Sequence, residues 1–181
     1  MQTRRTPDSD FETLAAAHLE SAYNLARWLM RDPTLADDVV QDAMLRALKY
    51  FRGFRGENPR AWLLQIVRNV ALTRLKGLTD APAASPLAVD SEPEEATLHV
   101  RAGEHDEPEA TLMRQDDERL VQTLLSGLPM ELRECLILRE LEELSYKEIA
   151  RIIDAPIGTV MSRLWRGRKL LAEAAGALEH A

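Results

Sequence analysis

One cysteine and four histidines in 181 residues leave little for covalent or metal chemistry. A lone Cys135 excludes an intrachain disulfide and a cysteine-based zinc cluster. It sits in the apolar run Cys135-Leu136-Ile137-Leu138, where it reads as a core thiol and not a redox sensor. The histidines, His18, His99, His105 and His180, are scattered. His99 and His105 lie among acids, a setting that fits a solvated linker better than a metal site. No glycine-rich loop is spaced to cradle phosphate, and no Ser, Cys or His stands beside a plausible catalytic partner. An enzyme therefore has little support, and neither metal nor cofactor is expected. Long apolar runs are missing as well: none approaches the roughly 20 residues that span a bilayer. The first residues, MQTRRTPDSD, lack the apolar core of a secretory leader, so the cytoplasm is the expected location. No alternating apolar segment demands a strand, which leaves an all-α fold as the expectation.

The formal net charge of −7 is unevenly laid down. From Arg46 to Lys76 the chain is +7, with Glu57 the only acid; from Gly77 to Glu118 it is −10. The acidic segment also carries Pro82, Pro86, Pro93 and Pro108 and has no sustained apolar period, the composition of an extended linker. Two basic surfaces thus flank an acidic tether. The expected organisation is two small helical domains, 10–77 and 114–178, joined by a flexible acidic linker over 78–113.

The richest local pattern runs from Leu144 to Leu171. Ser145 and Glu148 have the spacing of a capping box, in which each side chain satisfies the other's backbone N–H. Ile149, Ile152 and Ile153 follow as an apolar stripe. Asp154-Ala155-Pro156 ends that helix: aspartate tolerates the left-handed backbone region, and proline disfavours a helical residue before it. In the next helix Val160, Leu164 and Leu171 share one side, while Thr159, Ser162, Arg163 and Arg166 share the other. Helix, tight turn and a polar outer stripe form a helix-turn-helix, the device that lays side chains in a DNA major groove. For Arg168 and Lys169 a plain solvated face is an equal reading.

Three helices are expected before the linker. The first runs from Asp10, a candidate cap, to Met30 and breaks at Asp32-Pro33. The second spans about Thr34 to Phe51 and turns Val40, Ala43, Ala47 and Phe51 inward. Its other side bears Asp38, Gln41, Asp42 and Leu45, which reads either as a partner surface or as an ordinary face with one exposed leucine. Asn58 and Pro59 then cap a third helix to about Lys76. Trp62, Ile66 and Val70 form its expected core stripe, and Gln65, Arg68 and Asn69 line another face. The loop before it, Arg52-Gly53-Phe54-Arg55-Gly56-Glu57, puts cations beside an aromatic ring, which suits single-stranded nucleic acid: cations follow the backbone and a ring or pocket holds an unstacked base. The plainer alternative places Phe54 in the core and leaves the arginines in solvent. After the linker come a helix from about Asp116 to Leu125, a break at Ser126-Gly127-Leu128-Pro129, and a helix from Pro129 to Leu141.

These blocks resemble the extracytoplasmic-function group of bacterial RNA polymerase sigma factors, of the sigma-70 family. Ala36-Asp37-Asp38-Val39-Val40-Gln41-Asp42-Ala43 looks like the family's polymerase-binding helix. Asn58-Pro59-Arg60-Ala61-Trp62-Leu63 and Ile66-Val67-Arg68-Asn69 look like its region for the minus-ten element. Leu128-Pro129, Arg133, Leu138-Arg139-Glu140-Leu141, Ser145-Tyr146, Glu148-Ile149-Ala150 and Gly158 to Leu164 look like region four. The resemblance implies a subunit without its own catalytic site that binds core polymerase, selects promoters and helps open them. It implies that Asp38, Gln41, Asp42 and Leu45 meet the polymerase clamp. Phe54, Arg55, Asn58, Arg60, Gln65, Arg68 and Asn69 would hold the non-template strand of the minus-ten element. Thr159, Ser162, Arg163, Arg166 and Arg168 would face the upstream duplex. An anti-sigma factor, often membrane-bound, is implied by the same analogy. The linker matches no shared motif; an acidic chain of this kind is expected to follow positively charged channels of the polymerase.

A helix-turn-helix regulator with an N-terminal dimerisation or effector module explains the second half equally well. It leaves the +7 segment before the linker without a purpose. The two readings separate on behaviour: a regulator binds duplex DNA alone, whereas a sigma factor binds it weakly and requires core enzyme.

Overall fold

The computed structural model describes residues 7–56, 58–80, 120–121 and 123–179, and among them the regular elements are all helical. Three helices form the first unit: α1 (Pro7–Met30), α2 (Pro33–Phe51) and α3 (Pro59–Asp80). Helix α1 begins before Asp10, which lies inside it and does not cap it. The expected break at Asp32-Pro33 is also a cap. Arg31 takes a left-handed φ of 61°, and Asp32 then accepts from the Leu35 N–H at 2.9 Å. Proline costs nothing at this position because its missing N–H has no helical acceptor there. The buried face of α2 is Ala36, Val39, Val40, Ala43 and Ala47. Its small residues let α1 and α3 approach closely.

Asn58 caps α3 by accepting from the Ala61 N–H at 2.9 Å. Of the expected stripe of α3, Val70 is buried, but its companions are Ala61, Leu63, Leu64, Val67 and Ala71 and not Trp62 and Ile66. Helix α3 packs against α1 and α2 together, which centres its apolar arc one position further along. Trp62 and Ile66 are left half-buried at the edge. Trp62 is claimed by an aromatic cluster, 4.7 Å from Phe54 and 6.4 Å from Phe51 between ring centroids. Because α3 continues to Asp80, the first residues of the expected linker, 78–80, belong to its last turn. The remainder of that linker, the expected helix start at Asp116, and His99, His105 and His180 lie outside the described residues.

The second unit has helical residues at 120–121 and 123–126, then α4 (Met130–Leu136), α5 (Tyr146–Ile153) and α6 (Ile157–Glu179). The expected single helix to Leu141 instead changes to a π-helical turn over Ile137–Leu141, closed by the Glu142 N–H donating to the Ile137 carbonyl at 3.1 Å. Helix α6 crosses α4 at Gly167, where a Cβ would come within 2.8 Å of Leu136 Cδ1. Leu136, Ile149, Ile152, Val160 and Leu164 fill this core. Cys135 is buried with them, and burial pushes its thiol up to about 11, which fits an inert core residue. The two units touch: α3 packs on α5, and α1 approaches α4 and the π turn.

Candidate nucleic-acid interface

The helix-turn-helix forms as its local sequence dictates. The Ser145 N–H donates to Glu148 Oε2 at 2.7 Å, and the Glu148 N–H donates to Ser145 Oγ at 3.3 Å. The Ser145 hydroxyl, which donates to Glu148 Oε2 at 2.6 Å, and the Ser145 N–H together hold the Glu148 carboxyl below the usual glutamate range. Asp154 closes α5 in the left-handed region, φ 52° and ψ 56°. The Pro156 carbonyl then receives the Thr159 and Val160 N–H groups at 2.9 and 3.2 Å, starting α6.

On α6, Val160 and Leu164 are buried and Leu171 is half-buried, while Ser162 and Arg166 are exposed and Thr159 is half-buried. Arg163 does not share the outer stripe. It lies half-buried on the flank next to α4 and donates from Nη1 to Glu134 Oε1 at 3.2 Å. Arg168 is exposed and reaches Glu140 through Nε and Nη2 at 3.1 and 2.7 Å, a bond that raises its pKa further. Two large apolar side chains that the polarity pattern passed over, Met161 and Trp165, stand 54% and 65% exposed beside Ser162.

The residues expected to hold a separated strand divide into two groups. Asn69 is exposed on α3, and Arg55 is exposed on the loop, where Nη1 donates to the Arg52 and Phe54 carbonyls at 3.0 and 3.1 Å. Phe54 is half-buried against Trp62, with Gly56 leaving room for its ring. The other four, Asn58, Arg60, Gln65 and Arg68, turn toward the second unit. Asn58 donates to Glu148, Arg60 to Glu142, Gln65 to the Arg151 carbonyl at 3.0 Å, and Arg68 to both oxygens of Glu134 at 2.7 and 3.2 Å. Sequence reading missed Glu134 and Glu142; the available signal was weak, since Glu134 directly precedes the apolar run Cys135 to Leu138 and Glu142 follows it among other charges.

On α2, Asp38 and Asp42 are half-buried and both bind Arg74 of α3, at 3.0 and 2.7 Å. The bond to Asp42 raises the Arg74 pKa above the usual guanidinium range. Gln41 and Leu45 remain exposed, Leu45 by 62%. Gln41 also lines a shallow groove between α1 and α2 with Leu19, Tyr23, Val40 and Met44. Among the described residues no helix is long and apolar enough to cross a membrane, and no cluster of three or more His, Cys, Asp or Glu is placed to hold a metal.

Residues 14–79 match the family model described as Sigma-70 region 2, and residues 118–171 match Sigma-70, region 4. The chain is 36% identical to the ECF RNA polymerase sigma-E factor of Haemophilus influenzae over 149 residues, which covers 81% of this chain and 77% of that one. It is 32% identical to the RNA polymerase sigma-H factor of Pseudomonas aeruginosa over 170 residues, covering 91% and 85%. The fold is similar to the sigma factor RpoE of Bartonella quintana, solved in complex with the anti-sigma factor NepR, with a TM-score of 0.68, 27% identity, and coverage of 91% and 95%. With both regions present in order, and with relatives of this identity covered over most of their length, the chain belongs to the extracytoplasmic-function group of the sigma-70 family of RNA polymerase sigma factors.

Proposed function

We propose that the chain works in the cytoplasm as a dissociable, non-catalytic specificity subunit of RNA polymerase, with its labour divided among three surfaces. The first is the α2 face. Leu45 offers apolar contact area, and Asp38, Gln41 and Asp42 offer polar groups, to the polymerase clamp. Arg74 orders the two aspartates, so less side-chain entropy is lost when the partner binds. An anti-sigma factor, soluble or membrane-bound, is a further proposed partner, by analogy with the Bartonella relative, which was solved in complex with one; we place it on the polymerase-binding surfaces, where it would compete with polymerase.

The second surface is the loop with Phe54 and Arg55 and the polar side of α3 formed by Asn58, Arg60, Gln65, Arg68 and Asn69. Guanidinium groups neutralise the backbone of a separated strand, and amide side chains hydrogen-bond the edge of an unstacked base. Binding the separated non-template strand of the minus-ten element better than the duplex is what drives opening. The third surface is α6. Thr159, Ser162 and Arg166 project toward the major groove of the upstream minus-thirty-five element, Arg168 lies further along the same helix, and Arg163 supports it from the flank. The proposed division into 10–77, an acidic linker over 78–113 whose first three residues extend α3, and 114–178 lets the two DNA-binding surfaces reach separate elements.

The supporting observation is the presence of both sigma-70 regions, in order, on one chain. The test is reconstitution with core polymerase on a randomised promoter library, read by transcript start sites. The expected result is one enriched two-part promoter dependent on this chain. Start sites identical with and without it would overturn the proposal.

A further inference from the structure

At the C-terminal end of α2, two neighbouring aromatic side chains part company. Phe51 joins an internal cluster, 5.5 Å from Phe11 and 6.4 Å from Trp62 between ring centroids, whereas Tyr50 stands 59% exposed. A single exposed ring is ordinary; its surroundings here are not. Arg46, Lys49 and Tyr50 are spaced i, i+3 and i+4, share one side of the helix, and are all exposed. The Lys49 ammonium lies 5.8 Å from the Tyr50 ring centroid. Arg52, the C-cap, is exposed too, and Arg55 folds back so that its Nη1 donates to the Arg52 carbonyl at 3.0 Å. Four cations and one ring thus gather at this helix end, and from Arg46 to Gly56 the sequence holds no acid.

These cations are also unneutralised. Arg60, Arg68 and Arg74 of the same unit each bind a carboxylate. Asp42, four residues before Arg46 and so placed to pair with it, is taken by Arg74 instead. Among the described residues no carboxylate pairs with Arg46, Lys49 or Arg52. A helix C-terminus favours cations through its dipole, which accounts for Lys49 in the last turn. It gives no reason for Arg46, further in, or for an outward ring among them.

We infer that Tyr50, with Arg46, Lys49 and Arg52, forms a second single-strand subsite, in which the ring stacks a base of the non-template strand just downstream of the minus-ten element and the cations neutralise the flanking phosphates. A stacking platform in a cationic track holds single strands with little regard to sequence. Continuity argues for the same strand. Phe54 and Arg55 follow closely on Arg52, so a strand leaving the loop has the end of α2 as its next surface. The topology gives the direction: α3 ends at Asp80, toward the part of the chain that reads the upstream element, and the end of α2 lies by its opposite end, at Pro59. The subsite rests on the strand-binding role proposed for the loop and α3. It would prolong the open state without adding to promoter choice.

The test uses holoenzyme assembled from the full-length chain and core polymerase. Fluorescence anisotropy follows two labelled single strands carrying the minus-ten sequence that the promoter library yields, a short one ending at that element and a long one continued downstream by several nucleotides of random sequence. Wild type should bind the long strand more tightly. Tyr50→Ala should weaken the long strand by about five- to 150-fold, the range of one base stacked on a ring, and leave the short strand unchanged. Tyr50→Phe, which keeps the ring, should bind like wild type. Arg46→Gln with Lys49→Gln should lower the salt slope for the long strand by about 1.4, since each phosphate contact on a single strand contributes about 0.7. Wild-type binding of the long strand by Tyr50→Ala overturns the inference. So does a loss of affinity for core polymerase in that variant, which would place the ring on the polymerase surface. Asn69→Ala separates the causes: if it weakens both strands while Tyr50→Ala weakens neither, strand binding on α3 stands and only the subsite falls. If Asn69→Ala weakens neither strand, the strand-binding role itself is removed.

Discussion

Arg163 of the recognition helix donates to Glu134 of α4 at 3.2 Å, and this bond separates it from Arg166, three residues on and exposed. Removing Arg163 leaves Glu134, 1% exposed, with one arginine fewer. Arg163→Ala should cost about 1 to 3 kcal/mol of stability, since hydrogen bonds to charged groups fall in that range. Its effect on promoter recognition should follow from a loosened helix. Arg166→Ala should leave stability within about 0.5 kcal/mol. It should weaken upstream-element binding by about 1 to 3 kcal/mol if Arg166 reads a base in bidentate fashion. If it touches phosphate only, the loss should be uniform across sequences and the salt slope should drop by about 0.9. Denaturant unfolding and binding titrations at several salt concentrations distinguish these outcomes.

Asn69 is the exposed member of the α3 amide set. Asn69→Ala should therefore leave the melting temperature and polymerase affinity unchanged while slowing open-complex formation. Permanganate footprinting of the minus-ten region, alongside a polymerase pull-down, checks both halves of this statement. A fall in polymerase affinity would assign Asn69 to a different surface.

Gly167 sits inside α6, where alanine is favoured over glycine by about 1 kcal/mol on helix propensity. The added methyl would meet Leu136 Cδ1 at 2.8 Å and Cγ at 3.2 Å, and Leu136 is itself buried. Overpacking of this kind costs about 1 to 3 kcal/mol. Gly167→Ala should thus be destabilising on balance, by about 1 kcal/mol in chemical denaturation. Leu136→Val with Gly167→Ala should recover part of the loss.

Glu148 ties the helix-turn-helix to pH. Its carboxyl is held below the usual glutamate range by the Ser145 bonds, so the folded form favours the ionised state. That contribution is complete above the unfolded-state glutamate pKa and disappears as pH falls through the lower folded-state value. Glu148→Gln preserves the capping-box geometry and removes the titration. The stability difference between wild type and Glu148→Gln should therefore be constant near neutral pH and shift against wild type on acidification below the glutamate range. Parallel thermal melts across that acid window test the sign.

The parts of the molecule that were legible in the chain are those settled over a few residues. Ser145 and Glu148 are three apart, and their reciprocal bonds need only a helix to begin. Asp154 and Pro156 end that helix through their own backbone preferences. Asp32 and Asn58 cap for the same local reason. Phase was harder to read. A 3.6-residue period orients a helix to within about one position, which is why Val70 of α3 is buried as expected while Leu63 and Val67 take the inward places expected of Trp62 and Ile66. The same uncertainty hid the inward turn of Arg163. Nothing in the local pattern marks the π turn at Ile137–Leu141.

Periodicity, caps and charge blocks thus establish which helices exist and which sides of them are polar, because these depend on neighbours along the backbone. They leave open what each polar side faces. Arg68 and Glu134 lie 66 residues apart, and Arg60 and Glu142 lie 82 apart. Whether such a cation meets water, a nucleic acid or a carboxylate of its own chain depends on how the two units dock. That is a matter of tertiary packing, in which desolvation of each charge is balanced against the partner it finds.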